Sequence, residues 1–100
     1  MASRPNNVEF TIHVVSGVGS VKVPIAGELY AFSVIPPAAN AVYDIVGVDS
    51  KNHPVLGQVG CSGTIFIGGM KTPCLDPAHT LSIANATADG AYSGVLRTLY

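Results

Sequence analysis

Cys61 and Cys74, the histidines His13, His53 and His79, and Ser62 within Gly60-Cys61-Ser62-Gly63-Thr64 are the side chains here with the means to hold a metal, form a cross-link or attack a carbonyl. The cysteines have no second pair, so a C-x-x-C zinc motif is absent. They could close a disulfide around Ser62–Pro73, worth about 3 kcal/mol for a loop of that size. Two reduced thiols are the alternative, and the start of the chain, which shows no secretion signal, favours them. His53 and His79 fall near Asp49 and Asp76, but in strands and loops such separations fix no geometry, and no metal site is expected. The glycine-flanked Ser62 approaches the G-x-S-x-G nucleophile elbow, yet Thr64 replaces the last glycine and no helix follows. Glu9 and Glu28 lie in alternating stretches, and Asp44, Asp49, Asp76 and Asp89 mostly mark turns, so no acid–base pair converges. Gly17-Val18-Gly19 precedes no helix and cannot cradle a phosphate. Asn85-Ala86-Thr87 is a glycosylation sequon, discounted without a secretory route. The residues therefore predict no enzyme, no cofactor and no metal.

Composition narrows the classes further. Only 11% of the 100 residues are charged and the formal net charge is -1, against about 25% charged in an ordinary soluble domain. Arg4, Lys22, Lys51, Lys71 and Arg97 are scattered and offset by six acids, which excludes a general nucleic-acid surface. Disorder is excluded as well, because disordered chains combine low hydrophobicity with high charge. No apolar run approaches the roughly 20 residues of a membrane helix, so no membrane partner is expected. A surface with so few charges has little to oppose self-association, so much of it is expected to be covered by other subunits.

The elements that must carry these residues are strands. Val8–Val14 alternates apolar and polar, placing Glu9, Thr11 and His13 on the solvent side. Gly17–Ser20 reads as a turn and Val21–Val23 alternates again. Ala26–Ile35 sets Leu29, Ala31, Ser33 and Ile35 on one face and Glu28, Tyr30, Phe32 and Val34 on the other. Both faces are apolar enough for the middle of a sandwich or a subunit contact. Ala41–Val48, His53–Gly60, Gly63–Ile67, Thr80–Ala84 and Tyr92–Leu99 follow, with Gly68–Ala78 as the one long loop and a turn of helix conceivable at Asp76–His79. Seven or eight short strands and almost no helix predict an all-β antiparallel sandwich, jelly-roll-like or immunoglobulin-like. The expected layout is an N-terminal arm, residues 1–7, and one domain, residues 8–100.

Binding residues are expected where apolar segments run into loops. Ile35-Pro36-Pro37 and Met70 meet that description, within Ala26–Ala39 and Gly68–Cys74, because proline fixes extended backbone and methionine adapts to irregular partners. Loops folded back over the sandwich ends are the competing reading. The four tyrosines with Phe10, Phe32 and Phe66 could instead line a sugar-stacking face, although aromatics in sandwiches more often fill the core.

The order of parts resembles the small β-sandwich accessory proteins of tailed-bacteriophage virions. The likeness rests on the N-terminal alternating strand, Gly27-Glu28-Leu29-Tyr30 leading to Ile35-Pro36-Pro37, Ala41–Val48 with its polar turn, and the closing stretches Asn85–Tyr92 and Val95–Tyr100. It implies a virion structural role without cofactors, as a capsid decoration or cement protein. Its partners would be the major capsid protein or other virion subunits, in an oligomer or as lattice-bound copies assembled in the host cytoplasm. A neck, tail or fibre component at the head–tail junction is the alternative within that resemblance. Outside it, the alternative is a carbohydrate- or receptor-binding module.

Overall fold

The computed structural model describes residues 5–25, 27–74 and 78–99, with the backbone alone for Pro5, Pro73 and Cys74. The strands are β1 (Pro5–Val14), β2 (Gly19–Pro24), β3 (Gly27–Ile35), β4 (Val42–Asp49), β5 (Pro54–Ser62), β6 (Ile65–Ile67), β7 (Thr72–Cys74), β8 (Ala78–Ala84) and β9 (Gly90–Leu99). They form two antiparallel sheets, the all-β sandwich expected. One has the order β1-β9-β3-β6, with β7 also on β3, and the other β2-β8-β4-β5. Period-two patterning decides which side chains enter the space between them. Phe10, Ile12 and Val14 of β1 are buried while Glu9, Thr11 and His13 face solvent, and Leu81 and Ile83 repeat the pattern on β8.

Strand limits differ from the expectation by a residue or two at most ends, and more substantially at β1, β7 and β8. β1 begins at Pro5 rather than Val8, because the end of β9 runs alongside it and Pro5 pairs with Leu99; residues 1–4 of the expected arm lie outside the described residues. The expected loop 68–78 contains β7, which pairs with Gly27–Leu29 and completes the edge of β3 that β6 leaves bare. His79, placed in a turn by its neighbours, belongs to β8 opposite Val23 and Asp49; Asp76 lies outside the described residues.

β3 is the middle strand of its sheet, between β9 and the short pair β6 and β7. Its pattern contains a correction to simple alternation. A bulge between Leu29 and Ala31 shifts its register against β9. An extra residue on one strand reverses the faces beyond it. Leu29 points inward before the bulge, Phe32 and Val34 point inward after it, and Ile35 lands on the outer face instead of sharing a face with Leu29.

The sheets meet closely along β1 and β2. A side chain at Gly19 would have its Cβ 2.3 Å from the carbonyl oxygen of His13, so only glycine lets the two edges approach this far. Deeper in, Gly94 leaves room for the ring of Phe10, whose Cζ would lie 2.6 Å from an added Cβ. Tyr43 from one sheet and Tyr92 from the other meet edge to face, with centroids 5.1 Å apart and planes at 73°, a favoured geometry for aromatic quadrupoles. Their buried hydroxyls donate to the carbonyls of Gly63 at 2.8 Å and Ala88 at 2.7 Å.

Candidate interaction surface

The β1–β2, β3–β4, β5–β6 and β8–β9 connections gather at one end of the sandwich, as the strand registers require. Alternation makes Val14 the last inward residue of β1, so the next residue, Val15, is turned to solvent. Val15 and Val18 pair through two backbone hydrogen bonds of 2.9 and 3.2 Å. Between them Ser16 and Gly17 both take positive φ, 54° and 81°, the two-residue hairpin geometry that matches strand twist. Glycine adopts this readily and serine does not. Asp89 compensates: its Oδ2 accepts the Ser16 amide at 3.0 Å and its Oδ1 the Gly17 amide at 3.1 Å.

The same segment ties the turn to β4. The Ala86 amide donates to the Gly17 carbonyl at 3.1 Å, the Thr87 amide donates to the Val42 carbonyl at 2.9 Å, and the Val42 amide donates to Thr87 Oγ1 at 2.9 Å. The outcome is a braced turn that holds Val15 69% and Val18 56% exposed, with Val42 also exposed nearby in the chain of contacts. Ordering such side chains in advance lowers the entropic cost of association.

The expected contact residues divide. Ile35 is 54% exposed at this end, and Pro37 is exposed beside Gly90, where an added Cβ would lie 3.1 Å from its own. Pro36 is buried. Met70 is half-buried against the core, its amide donating to the Tyr30 carbonyl at 3.0 Å, in the half of β3 toward the opposite end. The structure therefore does not join all four into one patch. Val15 and Val18 escaped the sequence reading, although the doublet Val14-Val15 before Ser16-Gly17 carried the signal: two adjacent valines cannot both face one core.

Cys61 is a buried free thiol, with Sγ 3.6 Å from the Gln58 carbonyl. Burial is the main cause of its raised pKa, followed by the nearby Asp44 carboxylate. The side chain of Cys74, the other half of the conceivable bridge, lies outside the described residues. Asp49 and His53 approach to 3.7 Å at the β4–β5 turn, but among the described residues no three His, Cys, Asp or Glu side chains converge. Of the aromatics, Phe10, Phe32, Tyr43 and Tyr92 are in the core and Phe66 is exposed on β6; they do not form a stacking face together. Asp44, in contrast, has a clear structural task. It accepts from Asn85 Nδ2 and the Gly60 amide, both at 2.8 Å, and these bonds lower its pKa.

No protein-family model and no curated protein matches this sequence. Among solved structures, the fold is similar to part of a family two carbohydrate esterase from Cellvibrio japonicus, with a TM-score of 0.50, 12% identity, and coverage of 97% of this chain and 34% of that one. Looser likenesses are found in the enzymatically active domain of bacteriophage CBA120 tailspike protein 4 (TM-score 0.42, 10% identity, 98% of this chain and 18% of that one) and in infectious bursal disease virus Gx strain (TM-score 0.33, 11% identity, 98% and 31%). The chain spans about a third or less of each, as the shares of 34%, 18% and 31% state. At this identity the esterase likeness shows the fold alone, a β-sandwich architecture that a larger protein also contains.

Proposed function

We propose that the chain is a non-enzymatic structural protein of a tailed-bacteriophage virion, seated on the shell as a decoration or cement subunit. It binds other capsid subunits through the end that carries Val15, Val18, Ile35 and Val42. The observation that supports this reading most is the braced turn: apolar side chains held outward by Asp89 on a chain with only 11% charged residues. Contacts of this kind are individually weak and become strong when repeated on a lattice.

Two measurements test the proposal. Mass spectrometry of purified virions, counting this chain against the major shell protein, is expected to give hundreds of copies. A dozen or so would move it to the neck or tail, and absence would end the structural reading. The double variant Val15→Asp/Val18→Asp should fold, with its β circular dichroism intact, yet fail to rebind particles stripped of the chain. Unimpaired rebinding would remove the turn from the interface.

A further inference from the structure

The outer face of the β1-β9-β3-β6 sheet follows from its registers. Glu9, Val95, Ser33 and Phe66 stand opposite one another in one row across the four strands. The row toward the end of β9 is Asn7, Arg97 and Ala31, and the row on the other side is Thr11, Ser93 and Ile35. Their strand neighbours Phe10, Ile12, Leu96, Phe32 and Val34 are buried in the core, so alternation turns these rows outward. Phe66 is 62% exposed here. Glu9 and Arg97 are diagonal neighbours of opposite charge, yet neither makes an ion pair among the described residues.

We infer that this face pairs with the same face of a second copy across a twofold axis, Glu9 of each copy meeting Arg97 of the other. A twofold contact must be self-complementary: where one residue meets another, the second must meet the first. Strand spacing and rise place Glu9, Arg97, Phe66 and Ile35 at the corners of a rectangle of about 8 by 12 Å. The two charges share one short side and the two apolar side chains share the other. Turning a copy over about the line that bisects the short sides therefore sets Glu9 on Arg97 and Phe66 on Ile35 together. Asn7 and Val95 lie beside that line and meet their own copies; both are uncharged, so no like charges are forced together. The chain measures 44 × 25 × 18 Å, and its sheet faces are its broadest sides, the ones able to supply the roughly 800 Å² per partner of a stable interface. The outer face of the other sheet has no such free pair, because its acid, Asp44, already accepts from Asn85 and the Gly60 amide.

Sedimentation equilibrium of the full chain, with no virion present, tests this independently of the capsid reading. A monomer–dimer equilibrium is expected, ending at twice 10.3 kDa. Glu9→Lys and Arg97→Glu should each weaken the dimer at least about tenfold, because each sets like charges against one another across the interface. Mixing the two variants should restore dimers, since each then supplies the sign that the other lacks. Phe66→Ser should weaken the dimer as well, while Val15→Asp/Val18→Asp should dimerise like the native chain. Ile35 stands where this face meets the end proposed to bind capsid subunits, so it is left unchanged. A native chain still monomeric at about 1 mM, growth beyond the dimer, charge reversals without effect, or a mixture no tighter than its components would each overturn the assignment. Loss of the dimer in Val15→Asp/Val18→Asp would overturn it too, by moving the contact to the braced turn.

Discussion

The two ends of the sandwich treat their polar groups differently. At the end bearing the β1–β2 turn, Asp89 and Thr87 receive amides of the turn and of β4, and the carbonyls of Gly63 and Ala88 receive two buried phenols. At the other end His79 and Thr98 are buried with no hydrogen-bond partner. Satisfied polar groups make the first end rigid enough to display apolar side chains in fixed positions. The second end retains about 1–3 kcal/mol of unrelieved desolvation for each orphaned group, the condition in which an added partner has most to contribute. The first end spends its polar groups on holding turns in place, and the second leaves two of them buried without a partner.

The comparison breaks most sharply at Tyr43. Tyr43→Ala should cost roughly 3–5 kcal/mol in urea unfolding, as expected for losing a large buried ring, and should loosen the braced end by removing the contact to Tyr92. A loss below about 1 kcal/mol would show that the tyrosine pair does not anchor the sheets. Alkaline pH probes the same residue. Burial foremost, with smaller contributions from Cys61 and Tyr92, pushes the Tyr43 phenol from 10.0 up to about 12. The unfolded phenol ionises first, so this contribution is complete below pH 10 and is lost as pH rises toward 12. Stability measured across that window should fall less steeply in Tyr43→Phe than in the native chain.

Smaller effects sharpen the contrast. Asp89→Ala should cost about 1 kcal/mol, because water replaces the carboxylate at two exposed amides only in part, and hydrogen exchange at Ser16 and Gly17 should quicken. Unchanged exchange would mean that the turn needs no brace. At the other end the sign reverses. Thr98→Val discards an orphaned hydroxyl while keeping the shape, and should leave thermal stability unchanged or raise it by up to about 1 kcal/mol. A clear loss would reveal a partner for that hydroxyl.

The fold class was legible because Val8–Val14 and Thr80–Ala84 alternate, and alternation follows directly from side chains pointing to opposite faces of a sheet. The candidate surface was legible only in part. Ile35 was singled out for its place before two prolines, and the structure does expose it; but its assignment to the face of Leu29 failed because nothing local announces the bulge at Leu29/Ala31, which depends on pairing with β9. Pro36 and Met70 are loop residues in the structure as in the sequence, yet Pro36 is buried and Met70 packs half-buried on the core. The surroundings of His79 were not legible at all, because only the pairing of β2, β8 and β4 sets it opposite Val23 and Asp49.

The flanks of the sandwich differ as well as its ends. Along β1 and β2 the edges pack against each other, with glycine at the closest approach. Along β5 no further strand pairs among the described residues, the sort of border onto which a stray strand can add and start a fibre. Asp44 of β4 accepts the Gly60 amide, and the register of β5 against β4 shifts at the same place, so the strand is irregular there. A strand arriving there meets an interrupted row of donors and cannot pair along its full length. In a chain with so few charges to repel its own copies, an irregular edge of this kind is one of the devices that oppose strand-by-strand stacking.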